Sequence, residues 1–319
     1  RDLIVNLFAR YFSNPHLNQM GDSAVIEMSK LKLAFTTDAF VVKPIFFPGG
    51  DIGKLAVCGT VNDLAVAGAR PLYLTASFII EEGMLLDVLE KIVKSMAETA
   101  QDVGVSIVAG DTKVVEKGAC DQIFITTSGV GEIISPNPIN VSRINVGDVI
   151  IVNGFIADHG MAIMAAREGL SIETTIESDC APLNSLTEKL ISLVPDIRFM
   201  RDATRGGLAT VLNEIVEKQN FGIEIVEDKI PVQEGTFAVC EMLGMDPIYV
   251  ANEGKFVSVV PEKDKDAALS LLLFHPLGVN AAIIGRVTSD LAGKVRMTTS
   301  VGTQRLIPML TGDQLPRIC

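Results

Sequence analysis

The hydrophobic positions of this chain switch repeatedly between two periods, and the switching lays out a succession of short strands and helices. Leu3, Leu7, Phe8 and Tyr11 fall at helical spacing before Asn14-Pro15, which predicts an amphipathic helix over 2–13. Ala24-Val25-Ile26 and Leu31 to Thr36 read as strands, Asp51 to Gly68 as a buried helix rich in small and apolar residues, and Pro71 to Ile80 as another strand. Helical period returns from Leu85 to Val103; Val105 to Ala109 reads as a buried strand ending at Gly110-Asp111-Thr112, and Gln122 to Val130 as a further strand. Ser135-Pro136-Asn137-Pro138 is the clearest breaker cluster, and Gly147-Asp148 precedes the apolar run Val149 to Val152, where regular structure resumes. Helices then read over 158–168, 183–194, 207–219, 234–243 and 263–274, with strands near 221–226, 255–260 and 281–287.

This alternation predicts a mixed α/β fold, and 319 residues exceed one ordinary core, so two domains are expected. We place them at 1–138 and 139–308, followed by a flexible tail over 309–319. Thr311-Gly312-Asp313-Gln314 gives that tail no apolar periodicity to anchor it, and it ends Leu315-Pro316-Arg317-Ile318-Cys319. Extended at about 3.3 Å per residue, its last nine residues reach on the order of 30 Å. A thiol at 319 can therefore travel, although a lone surface cysteine is the plainer account of that residue by itself.

Composition narrows the class. Hydrophobic residues make up 48% and aromatics 5%, a core of Val, Ile, Leu, Ala and Met that suits alternating strands and helices. A net charge of −12 argues against a nucleic-acid partner, which needs a basic face. The five cysteines, Cys58, Cys120, Cys180, Cys240 and Cys319, are widely spaced without a C-x-x-C or a Cys/His cluster, so neither a disulfide framework nor a zinc site is expected and a reducing cytoplasm fits. No apolar run approaches the roughly 18 residues of a membrane span, and Arg1-Asp2-Leu3-Ile4 has neither an initiator Met nor a signal-peptide shape, so a preceding segment is expected to be missing.

The candidate chemistry is carboxylate chemistry. Asp22, Asp38, Asp63, Asp111 and Asp202 stand at or near expected element ends, mostly beside Gly, Asn or Thr. Mg²⁺ is held in this way, by a few hard oxygen ligands from separate loops together with substrate phosphates. Each aspartate alone is equally what a turn or helix cap uses. Asn62-Asp63 differs, because it interrupts the apolar stretch Leu55 to Ala69, where an unpaired carboxylate would cost several kcal/mol. Pro48-Gly49-Gly50-Asp51-Ile52-Gly53-Lys54 resembles a phosphate-cradling loop but lacks Walker spacing. Arg201-Asp202-Ala203-Thr204-Arg205-Gly206-Gly207 places two arginines and paired glycines at a helix start whose amides favour anions. Glu253 lies on a Gly-containing loop before the apolar strand Phe256 to Val260, a common place for a turn carboxylate.

Taken in order, Gly21-Asp22, Thr36-Thr37-Asp38-Ala39-Phe40, the run from Pro48 through Val61-Asn62-Asp63 to Gly68, Ala109-Gly110-Asp111-Thr112-Lys113, Arg201 to Gly207, Asn252-Glu253-Gly254 and the ending Pro316-Arg317-Ile318-Cys319 resemble the HypE family. Its members are carbamoyl dehydratases of nickel–iron hydrogenase assembly, within the aminoimidazole-ribonucleotide synthetase (PurM-like) superfamily. The resemblance implies two PurM-like α/β domains, a homodimer with ATP near its interface, and a mobile tail as the substrate-carrying arm. It implies that Cys319 receives a carbamoyl group from the carbamoyltransferase HypF and that ATP drives its dehydration to a thiocyanate. The HypC–HypD complex would then accept the cyanide. Asp38, Asp63 and Asp202 would hold magnesium, with Asp22, Asp51, Asn62, Gly110, Asp111, Thr112 and Thr204 around the nucleotide. Lys113 and Arg205 would neutralise phosphoryl charge, and Glu253 would be the base. The glycine-rich opening of the family lies ahead of this chain's first residue. Other amide-activating synthetases and small-molecule kinases of the superfamily would keep the aspartates without needing Cys319, and a nucleotide-binding scaffold would bind ATP without turnover.

Overall fold

A computed structural model describes residues 24–28, 31–167, 175–310, 312 and 317–319; the helix expected over 2–13 and Asp22 lie outside them. The first half contributes β1 (Ala24–Met28), β2 (Leu31–Phe40), the small pair β3 (Phe46–Phe47) and β4 (Gly50–Asp51), then α1 (Ile52–Val66), β5 (Ala69–Glu81), α2 (Leu86–Val103), β6 (Ser106–Val115) and β7 (Ile123–Ile133). Four of these strands plus β1 form a five-stranded sheet in the order β1-β2-β7-β5-β6. All its ladders are antiparallel except β5–β6, whose parallel pairing requires a crossover that α2 supplies.

The second half contributes β8 (Val149–Val152), α3 (Asp158–Ala166), α4 (Asn184–Leu193), β9 (Phe199–Asp202), α5 (Gly207–Val216), β10 (Gly222–Val226), α6 (Glu234–Leu243), β11 (Phe256–Val260), α7 (Lys265–Phe274), β12 (Ala282–Thr288), β13 (Val295–Thr298) and β14 (Gln304–Ile307). Its seven strands are ordered β14-β13-β10-β12-β8-β11-β9, with only the β13–β10 ladder parallel. The α/β class predicted from the alternation is the observed one. Among the described residues no helix is long and apolar enough to cross a membrane.

Helix α1 sits at the centre. Leu55, Val57, Val61, Leu64 and Val66 leave it no polar face, and a helix apolar on all sides must be enclosed. It packs on β2, β5 and β7, on α2, and on α4 and β9 of the other half. One apolar cluster accordingly joins Phe40, Leu55 and Cys58 of the first half to Met161, Cys180 and Ala251 of the second. Asp51 caps α1, accepting from the Gly53 and Lys54 amides at 2.7 and 3.2 Å and from the Ser95 hydroxyl at 2.5 Å. Its carboxylate is thus engaged in helix and packing contacts.

One expectation fails in an instructive way. Strand β6 is not buried: it is an edge strand with one neighbour, Val108 and Val114 are 59% and 68% exposed, and Gly110-Asp111-Thr112 lie within it rather than after it. Apolar composition marks a surface that avoids water, and among the described residues β5 is the one strand paired with it. Strands β9, β13 and β14 give no clear signal because each is four residues long and contains arginine. The end of the tail is packed, since Ile318 is only 3% exposed and joins the cluster around Phe40 and Ile45.

Candidate active site

The two halves meet over α1, and carboxylates converge there from both. On β2, Thr36, Asp38 and Phe40 alternate toward the α1 face, as period-2 pleating requires. Asp38 lies inside the strand, paired with Thr127, and not at its end. Its Oδ2 stands 3.5 Å from where a Cβ on Gly59 of α1 would be, and Thr36 donates to Asp63 Oδ2 at 2.6 Å, so Asp38 and Asp63 share the space between β2 and α1. Asp38 keeps contact with solvent, and burial of its carboxyl end raises its pKa, against the Ala39 amide and the charge of Arg205.

From the other side come Asp202, at the end of β9, and the loop to α5. Asp202 is buried, Arg201 beside it pairs with Glu214 at 2.7 Å, and Arg205 is exposed with its charge toward Asp38. Gly206 and Gly207 both take left-handed φ, +75° and +58°, and a Cβ on Gly207 would meet the Val250 carbonyl at 2.4 Å. The paired glycines therefore fix the entry of α5, and with it the position of Thr204 and Arg205.

Glu253 is the least ordinary residue of the site. It is 3% exposed and its Oε1 has no hydrogen-bond partner. Burial raises its carboxyl well above the usual range, reinforced by Cys180 and the carboxylates of Asp38, Asp202 and Asp179. Its backbone is held on every side. Asn62 of α1 donates to the Glu253 and Ala181 carbonyls at 3.0 and 3.1 Å and accepts from the Leu183 amide at 2.8 Å. Both donors of that amide are used, so Asn62 ties α1 to Glu253. Asp179 accepts from the Glu253 and Gly254 amides, each at 3.1 Å, and pairs with Lys255 at 3.2 Å. Gly254 is required there, because a Cβ would lie 2.0 Å from the Asp179 carbonyl.

The tail enters the same region. The Val41 and Lys43 amides donate to the Cys319 and Ile318-preceding Arg317 carbonyls at 2.9 and 3.1 Å, an alternate-residue pairing like that of an added strand. Arg167 Nη2 also donates to the Arg317 carbonyl at 3.0 Å, the Arg317 guanidinium meets Asp121 at 2.5 Å, and His159 contacts the Ile318 carbonyl at 2.7 Å. Cys319 packs against the cluster that holds Cys58, Cys180 and Ala251.

Other expected site residues stand apart within one chain. Asp111 aligns with Ala39 through Ser77 and Thr126, one row from Asp38, so it faces the opposite surface of the sheet, and three strand spacings of about 4.8 Å separate β6 from β2. There the Thr112 amide and Lys113 lower the Asp111 carboxyl, and Lys113 lies 3.3 Å from it on the exposed edge with Gly110 and Thr112. A cavity of about 340 Å³ lined by Asp158, Asp179 and Lys255 borders the Glu253 loop but reaches neither Asp38 nor Asp202. Sequence reasoning missed Asp121, His159, Ser178 and Asp179; none carries a motif, and only Asp158-His159 at the start of an apolar helix offered a hint.

Comparison with known proteins places this geometry in a family. Residues 20–133 match the AIR synthase related protein N-terminal domain, and residues 145–298 match its C-terminal domain. The carbamoyl dehydratase HypE of Rhodobacter capsulatus is 50% identical over 321 residues, covering 100% of this chain and 94% of the relative. A crystal structure of a HypE–HypF complex is similar with a TM-score of 0.90 at 50% identity, covering 96% of this chain and 99% of the other. A HypE structure in complex with ATP is similar with a TM-score of 0.87 at 47% identity, covering 99% and 96%. The chain belongs to the HypE family of carbamoyl dehydratases, among the AIR synthase related proteins.

Proposed function

We propose that this protein uses ATP to dehydrate an S-carbamoyl group carried on Cys319 to a thiocyanate, as a step in supplying cyanide for nickel–iron hydrogenase assembly. The observation that supports it most directly is the docked end of the tail, which packs Cys319 against the cluster that holds Cys180 and Ala251, while Glu253, two residues after Ala251, keeps a buried carboxyl oxygen without a hydrogen-bond partner. Oxide cannot leave an amide carbon. Transfer of the γ-phosphoryl group of ATP to the carbamoyl oxygen converts it to a phosphate ester, releasing ADP, as one N–H proton passes to a base. Loss of phosphate and the second N–H proton then gives the nitrile. The products are thiocyanate, ADP and phosphate, and the tail has lost one water. Burial makes Glu253 a stronger base than an exposed glutamate, which suits an amide-derived N–H.

Asp38, Asp63 and Asp202 are hard oxygen donors in a region whose negative charge exceeds its nearby cations, and they would hold Mg²⁺ bound to the nucleotide. Among the described residues no group of three His, Cys, Asp or Glu side chains forms a metal cage, so any such cation would need phosphate oxygens to complete its shell. The ion would neutralise phosphoryl charge. Thr204 and Arg205, at the glycine-marked entry to α5, fit the phosphate side. The exposed face of the first sheet carries Phe35, Tyr73 and Ile79 together with Asp111 and Lys113, and its edge is β6. Pairing of two chains through this surface would cover it and bring Gly110 to Lys113 to a nucleotide bound near the interface. HypF would load Cys319 and the HypC–HypD complex would take the cyanide.

Four outcomes are expected. In solution at micromolar concentration the mass should be twice 34.2 kDa, and a strictly monomeric mass would remove the homodimer. Asp63→Asn should keep the fold and raise the ATP dissociation constant about tenfold or more, the effect of about 1.4 kcal/mol; unchanged affinity by titration calorimetry would count against the metal assignment. After incubation with the carbamoyl donor and ATP, mass spectrometry of the C-terminal peptide should show loss of one water in the parent, a stalled thiocarbamate in Glu253→Gln, and no modification in Cys319→Ala. Conversion by Glu253→Gln at the parent rate would exclude Glu253 as the base, and turnover on a separate substrate by Cys319→Ala would favour a kinase. Finally, a raised carboxyl costs the fold stability as pH rises through its folded value, so Glu253→Gln should gain thermal stability over the parent at pH 8 and lose that advantage below about pH 4. A difference in melting temperature that does not change with pH would contradict the shift.

A further inference from the structure

We infer that the tripeptide Ser178-Asp179-Cys180 registers the tail against Glu253, with His159 as the positioning residue through which it holds the carbonyl next to Cys319. The inference rests on Cys319 being the carrier and Glu253 the base, as proposed above. Two neighbouring residues of one short segment grip the two reacting parts. Ser178 reaches the tail: its hydroxyl lies 2.7 Å from His159 Nδ1, and His159 Nε2 lies 2.7 Å from the Ile318 carbonyl. Asp179 reaches the base, through the Glu253 and Gly254 amides.

The direction of each hydrogen bond follows from the chemistry. A carbonyl only accepts, so Nε2 carries the proton that points at Ile318. His159 is fully buried, and burial lowers its pKa, so the ring is neutral and Nδ1 accepts from the Ser178 hydroxyl. The Cys180 amide in turn donates to Ser178 Oγ at 3.1 Å, which completes a one-way relay from the loop backbone to the tail. The ring cannot swing, because Phe47 packs on it edge to face with centroids 5.6 Å apart. The loop itself is anchored, since the Ser178 amide donates to the Pro48 carbonyl at 2.8 Å. Burial alone would raise the Asp179 carboxyl, but the charge of Lys255 and the Glu253 and Gly254 amides oppose it, and the carboxyl lies low. An ionised Asp179 is the stronger acceptor for the Glu253 amide. The main chain at Ile318 and the main chain at Glu253 are thereby held by three consecutive residues and one imidazole.

The test uses the protein with its tail intact and reads tail docking without relying on turnover. Alkylation of Cys319 by iodoacetamide, followed on the C-terminal peptide by mass spectrometry, should be about five- to tenfold faster in His159→Leu, the effect of losing one buried hydrogen bond. His159→Gln, which keeps a donor, should recover part of the difference. ATP affinity and carbamoyl loading should stay within twofold of the parent, while single-turnover dehydration slows about tenfold. Asp179→Asn should slow dehydration without changing alkylation, because it loosens the base and not the tail. Should His159→Leu fail to fold, Ser178→Ala gives the same pattern with a smaller change. Parent-like alkylation in a folded His159→Leu or Ser178→Ala would overturn the inference, as would equal acceleration in Asp179→Asn, which would mean that the loop merely unravels. If the parent itself fails to dehydrate a loaded tail, the proposed function falls, yet the alkylation rates still decide whether His159 holds the tail.

Discussion

A polar amide inside an apolar helix must find partners, and the partners of Asn62 hold the molecule together at its functional end. Helix α1 has no solvent face, so the side chain cannot turn to water, and leaving it unpaired would cost on the order of 1–3 kcal/mol. Its three hydrogen bonds all go to the second half of the chain, to Ala181, Leu183 and Glu253. The burial that encloses α1 thereby fixes the loop of Glu253 against α1, whose other side faces the strand that carries Asp38. Stability and site geometry share one constraint, and a change in either half's packing on α1 is felt at Glu253.

Around that constraint the site is assembled from backbone as much as from side chains. Asp179 holds the Glu253 loop by its amides, Val41 and Lys43 hold the tail by its carbonyls, and the glycines at 207 and 254 exist because backbone approaches too closely for a Cβ. Charges are left unbalanced where phosphate chemistry is proposed: Asp38 and Glu253 both have raised carboxyls, whereas Asp111, on the open face, is lowered by its own neighbours. Burial raises both Asp38 and Glu253, and at Glu253 the charges of Asp38, Asp202 and Asp179 add to it, so that carboxyl is a better receptor for a proton than an exposed glutamate is.

Much of the fold was legible because it rests on local period. The helix expected over 234–243 is α6, and the strand expected over 255–260 differs from β11 by one residue. Asn62-Asp63 was singled out for breaking an apolar helix, and the structure gives the two residues separate tasks, a tie across the halves and a carboxylate beside β2. What could not be read is what depends on tertiary approach. Asp51 looks like part of a phosphate loop but caps a helix; Asp38 looks like a strand end because β2 continues through polar residues that its neighbour β7 satisfies. Val105 to Ala109 looks buried, since apolar content does not say which surface will cover it. His159, Ser178 and Asp179 come together over long sequence separations, and no spacing announces them.

The pairing of Val41 and Lys43 with the tail also changes how its affinity should be understood. Main-chain hydrogen bonds ask little of side-chain identity, so an extended segment held in this way behaves as an intramolecular ligand. Its local concentration is set by the tether and is of millimolar order for a short flexible one, whatever the protein concentration. Docking is therefore indifferent to dilution, and a free peptide of the same sequence competes only when its own concentration approaches that of the tethered end.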